Sequence, residues 1–348
     1  MPRRFRFRQV DVFTDRPMHG NPLAVFSDAE DLSDDEMQAI AREMNISETA
    51  FVLPPSDEGR AEGADYRVRI FTPGRELPFA GHPVIGTAWV LADEGRIKLH
   101  APSTTVRQEV AIGVLPLSVE ALDPESAPTS HSPVGDHSPA RTTLRPGEVT
   151  MTQGSPETLF VLEADEVEEL CEALEVATDA IGWPEPSRGR RTTRSARLVE
   201  PKVISTGLPH LIVPFVDRAV MVDVDRDRRE YVAELCQAYD CDSAALVAPG
   251  NSGTIADADV SVRIFDADSL RIEADPATGA AAGPIAVFLG TLAGARDRTY
   301  RVVIEQGVEV GRPSRLVAEV DFGPDGSPGD MRVAGSVVPV IEGWITLP

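Results

Sequence analysis

The chain has 348 residues, enough for two domains with substantial cores. Its 56 acidic side chains outnumber the 33 basic ones, and the formal net charge of −23 excludes nucleic acid and anionic membrane surfaces as natural partners. Arg supplies every basic group except Lys98 and Lys202, and single carboxylates in such a composition read as solvated surface.

The N-terminal stretch Arg3-Arg4-Phe5-Arg6-Phe7-Arg8 has no apolar run and reads as a strand, not a targeting signal. Val10–Phe13 and Leu23–Phe26 are strand patterns around the turn Arg16-Pro17-Met18-His19-Gly20-Asn21-Pro22. Ser33 and Glu36 form a capping box, followed at helical spacing by Met37, Ile40, Ala41 and Met44, and the helix stops at Asn45. Ile46–Leu53 is a strand that carries Glu48 in mostly apolar company. A carboxyl in such surroundings has its charged form disfavoured, which suits it to take and return a proton.

Tyr66, Val68 and Ile70 alternate with Arg67 and Arg69, the period of a strand with one covered face. After the break at Pro73-Gly74 comes Phe79-Ala80-Gly81-His82-Pro83-Val84-Ile85-Gly86-Thr87-Ala88-Trp89. This is apolar on nearly every side, so it predicts a helix buried inside the protein, with Pro83 suited to its first position. The free N–H groups of its first turn, at Gly81 and His82, make a small anion site of the kind a carboxylate fits.

The segment 122–148 changes character: Pro, Ser and Thr dominate, and it reads as a linker or surface insertion in which His131 and His137 are solvent-exposed. Val149 and Met151 open a second half. Val167, Leu170, Cys171 and Leu174 mark a helix, and Tyr231, Leu235 and Ala238 another. Arg188, Arg190, Arg191, Arg194 and Arg197 form a basic loop that serves either the protein's own carboxylates or a phosphate-bearing ligand. Pro276–Ala295 is uncharged and long, but rich in Ala and Gly, so it predicts a second helix buried in protein, kinked at Pro284. Cys171, Cys236 and Cys241 form no CxxC pair and fit buried thiols in a reducing compartment, which points to the cytoplasm. No metal-ligand spacing, GxGxxG, P-loop or HExxH motif is present.

Several landmarks occur twice in one order. Val68-Arg69-Ile70-Phe71 returns as Val262-Arg263-Ile264-Phe265, and Gly20-Asn21-Pro22 as Gly207-Leu208-Pro209. The pattern from His82 to Ala88 returns from Asp275 to Ala281, and Ser47–Val52 is loosely matched by Ser243–Val247, with Ala244 at the place of Glu48. The repeat predicts a duplicated domain with α+β halves, each sheet-rich around one buried helix. The boundaries expected are 1–121 for the first half, joined by a returning strand at 335–348, and 149–334 for the second.

These motifs resemble the phenazine-biosynthesis PhzF-like family, which shares the diaminopimelate epimerase fold. The resemblance rests on Val10-Asp11-Val12-Phe13-Thr14 with Gly20-Asn21-Pro22, Asn45-Ile46-Ser47-Glu48-Thr49 and Phe79–Thr87 in the first half. In the second it rests on Ser205-Thr206-Gly207, Asp275-Pro276-Ala277-Thr278-Gly279 and Gln306–Ser314. It implies two pseudo-symmetric domains, each a curled, mostly antiparallel sheet (an open barrel) around a central helix, with the active site between them and no cofactor. It also implies a homodimer and a small carboxylate-bearing substrate. The family's acid/base glutamate falls on Glu48, its second carboxylate on Asp275 and its histidine on His82. Asp275, standing before Pro276, also fits an ordinary helix N-cap. Gly81, Gly279 and Ala280 would offer backbone N–H groups to the substrate carboxylate.

The expected activity is therefore cofactor-independent isomerisation, a proton moved on a small carboxylic acid by one general acid/base. Ala280, where the family commonly has Ser, motivates an alternative: a binding or regulatory protein that kept the cleft and lost turnover. Two-thiol racemisation is disfavoured because the helix starts carry no cysteine.

Overall fold

The computed structural model describes residues 2–123, 144–184, 196–266 and 275–348, with only the backbone of Ala196 and Arg197. His131, His137 and the basic loop from Arg188 to Arg194 lie outside the described residues. The chain forms two compact units, Met1–Thr152 with Ala334–Pro348, and Gln153–Val333.

In the first unit the strands follow the order Val337–Leu347, Arg3–Val12, Asn21–Phe26, Glu48–Leu53, Tyr66–Phe71, Ser103–Val110, Gly113–Leu122 and Arg145–Gln153. All pairs are antiparallel except Asn21–Phe26 with Glu48–Leu53 and Tyr66–Phe71 with Ser103–Val110. A parallel pair needs a long crossover, and the helices Asp34–Met44 and Gly81–Asp93 provide the two. The first keeps the capping box of Ser33 and Glu36 and ends on Asn45 in the left-handed region at φ 49°. Its apolar face buries Met37, Ile40 and Ala41 against Ala24, Phe26, Phe51 and Phe71.

Side chains on the opposite face of the same strands meet the second helix, Gly81–Asp93. Every residue from Gly81 to Ala92 is buried, and the strands wrap it from several sides. Pro83 is the third helical residue, still within the turn whose N–H groups have no intrahelical partner. At Gly86 the helix packs tightly on the sheet: a Cβ there would stand 2.6 Å from Leu23 Cδ2 and 2.8 Å from Val12 Cγ2.

The second unit repeats the pairing scheme. Glu157–Val161, Lys202–Ser205, Pro209–Pro214, Ser243–Pro249, Val260–Asp266, Arg298–Gln306 and Ser314–Phe322 follow one another in the sheet. The parallel steps again fall at the second-to-third and fourth-to-fifth repeated strands, Pro209–Pro214 with Ser243–Pro249 and Val260–Asp266 with Arg298–Gln306. The crossovers are Arg218–Asp223 with Arg229–Ala238, and the buried helix Gly279–Leu292. That helix continues through Pro284 without a break. Pro284 cannot donate to the Ala280 carbonyl four residues back, and Gln153 Nε2 donates to that carbonyl at 3.3 Å and to the Gly279 carbonyl at 2.9 Å.

Three sequence expectations need correction. Leu122 pairs with Arg145 and Ala121 with Pro146, so strands enter both ends of the stretch 122–148. The helix Arg229–Ala238 buries Val232 and Cys236, while Tyr231 is half exposed; the apolar face is set by what it packs on, not by its bulkiest side chain. The third concerns register. Leu23 pairs with Glu48 and Thr49 with Phe71, while His210 pairs with Ser243 and Ala244 with Phe265. Superposing the two Val-Arg-Ile-Phe strands therefore places Ser243, not Ala244, at the position of Glu48. The same superposition matches Glu109 to Glu305 and Val110 to Gln306, because Arg67 pairs with Glu109 and Ser261 with Glu305.

Candidate active site

In the first unit three elements deliver side chains to one buried point. Asn21 opens one strand, Glu48 opens its parallel neighbour, and His82 is the second residue of the buried helix. His82 Nε2 lies 3.1 Å from Glu48 Oε2, with 4% of the histidine and 14% of the glutamate side chain exposed. The two atoms are in contact but not aligned as a hydrogen bond. On the other side of the ring, His82 Nδ1 is 3.1 Å from the Asn21 amide nitrogen. The Asn21 amide nitrogen suits Nδ1 as an acceptor, whereas the Pro22 carbonyl at the same ring asks for an N–H, so the two contacts favour opposite tautomers.

Burial drives the His82 pKa down to about 3, offset in part by the Pro22 backbone carbonyl. The imidazole is therefore neutral at physiological pH. A neutral imidazole beside a carboxylate lends it no full positive charge. Gly81, the first residue of the helix, is buried beside this pair, and Ala80 before it supplies no side-chain cap. The first-turn N–H groups thus have no side-chain cap competing with an anionic ligand.

In the second unit Asp275, Gly279 and Ala280 lie at the start of the other buried helix. Asp275 is not the N-cap: the helix begins at Gly279, and Thr278 is the cap residue. Thr278 does not cap through its side chain; its hydroxyl donates instead to Asp275 Oδ2 at 2.6 Å. Ala280 is buried with its methyl group in place of a hydroxyl. Position 210, matching Leu23, carries a buried histidine whose Nδ1 contacts Ser243 Oγ at 2.8 Å; burial lowers its pKa to about 4. Among the described residues no group of three or more His, Cys, Asp or Glu side chains is placed to hold a metal ion.

Comparison with known proteins gives the family of the chain. A model of the PhzC-PhzF family, described as phenazine biosynthesis-like protein, matches residues 10–343. The chain belongs to this family. The trans-2,3-dihydro-3-hydroxyanthranilate isomerase of Pseudomonas aeruginosa is 31% identical over 326 residues, 91% of this chain and 90% of that protein. A PhzF-family phenazine biosynthesis protein of Bacillus anthracis shares the fold with a TM-score of 0.75 at 23% identity, over 99% of this chain and 100% of that one. A hydroxyproline epimerase of Agrobacterium vitis shares it more distantly, with a TM-score of 0.55 at 11% identity over 99% and 93%. Three relatives of about 30% identity over most of the chain are named trans-2,3-dihydro-3-hydroxyanthranilate isomerase, and this family member is an isomerase. No helix among the described residues is long and apolar enough to cross a membrane.

Sequence reading singled out Glu48, His82 and Gly81, which the first unit brings together, and Asp275, Gly279 and Ala280, which the second does. It passed over Asn21, Thr278 and Gln306. Asn21 and Gln306 are buried polar residues inside quoted motifs, at 0% and 2% exposure, and a polar residue that must be buried is the signal that could have found them.

Proposed function

We propose that the protein moves a proton on a small carboxylic acid, with Glu48 as the single general acid/base and no cofactor. The observation that carries this is the 3.1 Å approach of His82 Nε2 to Glu48 Oε2 in a buried site at a helix start. Glu48 lifts a proton from one carbon, the electron pair delocalises into the conjugated system or the enolate, and the same carboxyl returns the proton at the product carbon. His82 holds Glu48 in the reactive orientation, and the helix N–H groups at Gly81 and at Gly279 and Ala280 bind the substrate carboxylate. Asp275 contacts a polar substituent of the substrate.

The isomerase relatives support trans-2,3-dihydro-3-hydroxyanthranilate as the first compound to test, since it joins a carboxylate to a conjugated ring. In heavy water the product is expected to carry deuterium at carbon, and Glu48→Gln to remove both turnover and label. The missing hydroxyl at Ala280 supports a second reading, a small-acid binding protein without turnover. Binding of the compound with no deuterium incorporation by the wild type would select it.

A further inference from the structure

We propose that Gln306 is a positioning residue which, through Thr278, fixes the carboxylate of Asp275 for substrate contact. This rests on the role of Asp275 given above. Gln306 is 2% exposed, and its counterpart in the first unit is Val110, so burial alone asks for an apolar residue here. A carboxamide in its place must be justified by its partners.

Among the described residues, the hydrogen-bond partners of its side chain lie on the Asp275–Thr278 turn. Gln306 Nε2 donates to the Asp275 carbonyl at 2.8 Å and to Thr278 Oγ1 at 3.0 Å, while Oε1 accepts from the Thr278 N–H at 3.1 Å. A flipped amide would face oxygen to the carbonyl and N–H to N–H, so only this orientation is satisfied. Both amide protons are then committed, and the Thr278 hydroxyl cannot point its own proton at Gln306. It points at Asp275 Oδ2, 2.6 Å away. The polarity of the chain is one-way: Gln306 to Thr278 to Asp275. Thr278 gives up the ordinary side-chain cap of its helix to make this contact. Gly307 tightens the same clamp: at φ +76° it lets Pro276 approach, where a Cβ would meet the Pro276 carbonyl oxygen at 2.5 Å.

The test compares Gln306→Met, Thr278→Val, Thr278→Ser and Asp275→Asn in the full-length protein, after thermal melts confirm folding. With trans-2,3-dihydro-3-hydroxyanthranilate as the probe, Thr278→Val and Gln306→Met are expected to lower kcat/KM by about 10- to 100-fold, the range of a lost charge-assisted hydrogen bond. Thr278→Ser, which keeps the hydroxyl, is expected to stay within about threefold of wild type. Folded Gln306→Met and Thr278→Val variants as active as wild type, beside an impaired Asp275→Asn, overturn the inference and leave the functional reading standing. Full activity in Asp275→Asn removes that residue from the reaction and overturns the inference together with that part of the reading. Where wild type does not turn the probe over, NMR decides: Gln306 carboxamide protons protected from solvent exchange, and losing protection in Thr278→Val, support the clamp. Exchange as fast as in free glutamine overturns it.

Discussion

Ser243 occupies in the second unit the register position that Glu48 holds in the first: each pairs across a parallel step, with His210 and Leu23 respectively. The duplicated framework therefore presents a carboxyl once and a hydroxyl once. Glu48 faces neutral His82, and Ser243 contacts neutral His210. A hydroxyl cannot hold a proton between turnovers at neutral pH as a carboxyl can. Ser243→Ala is expected to retain deuterium incorporation within about tenfold, whereas Glu48→Gln loses at least about a thousandfold. Equal losses in the two variants would mean a two-base reaction.

Asn21 contacts Nδ1 of His82, the ring nitrogen on the side away from Glu48. Asn21→Asp would present only acceptors to Nδ1 and fix the ring proton there, away from Glu48, so a changed rate reports the tautomer the wild type uses. The expected result is a fall of about 10- to 100-fold in kcat with a smaller change in KM, the pattern of a misoriented proton-transfer partner. Asn21→Leu, which leaves Nδ1 without a donor, should fall between wild type and Asn21→Asp. Stopped-flow or steady-state rates on the three proteins check the order.

Stability should weaken on mild acidification. His82 and His210 have pKa values of about 3 and about 4 when folded, against 6.5 when unfolded. Between these limits the unfolded chain binds more protons than the folded one, so stability is full above about pH 6.5 and falls as pH drops. Each histidine contributes a slope approaching about 1.4 kcal/mol per pH unit once well below pH 6.5. Urea melts at pH 7, 6 and 5 should show the decline, and His210→Asn should flatten it. An unchanged midpoint across this range would mean that these histidines are solvated.

Gly86 presents two opposing effects. Alanine improves helix propensity by about 1 kcal/mol, but its methyl would press on Leu23 and Val12 at under 3 Å. Overpacking of this kind costs about 1–3 kcal/mol, so destabilisation wins for Gly86→Ala. The displaced helix also carries His82, and kcat should fall with stability. Thermal melts and rates on one preparation test both.

Glu305 and Glu109, matched by the repeat, each hold the loop after a central strand. Glu305 is 1% exposed and accepts from the Ser252 N–H and hydroxyl at 2.7 Å, the Ser261 hydroxyl at 2.9 Å and the Ile255 N–H at 3.1 Å. Glu109 accepts from the Ser56 N–H at 2.8 Å and faces Arg67 at 3.8 Å. Removing the acceptor leaves the Ser252 and Ile255 N–H groups unsatisfied in one loop and the Ser56 N–H in the other, so Glu305→Ala should cost about 2–4 kcal/mol and Glu109→Ala about half of that. Denaturant melts that rank the two the other way would refute the assignment.

Much of this protein is written locally. The capping box at Ser33, the strand alternation around Arg69, the all-apolar helix after Ala80 and the repeated Val-Arg-Ile-Phe strands depend on neighbours within a few residues, and they carry the α+β class and the family motifs. Glu48, His82 and Asp275 stand out as candidates for the same reason: each sits inside a short motif. What the chain alone left open was pairing. His82 meets Asn21 across 61 residues and Gln306 meets Thr278 across 28, and which strand lies beside which decides both contacts. Register is the sharpest case. A slip of one residue turns every side chain to the other face of a sheet, so whether Ser243 or Ala244 matches Glu48 follows from backbone hydrogen bonds that only the folded sheet defines.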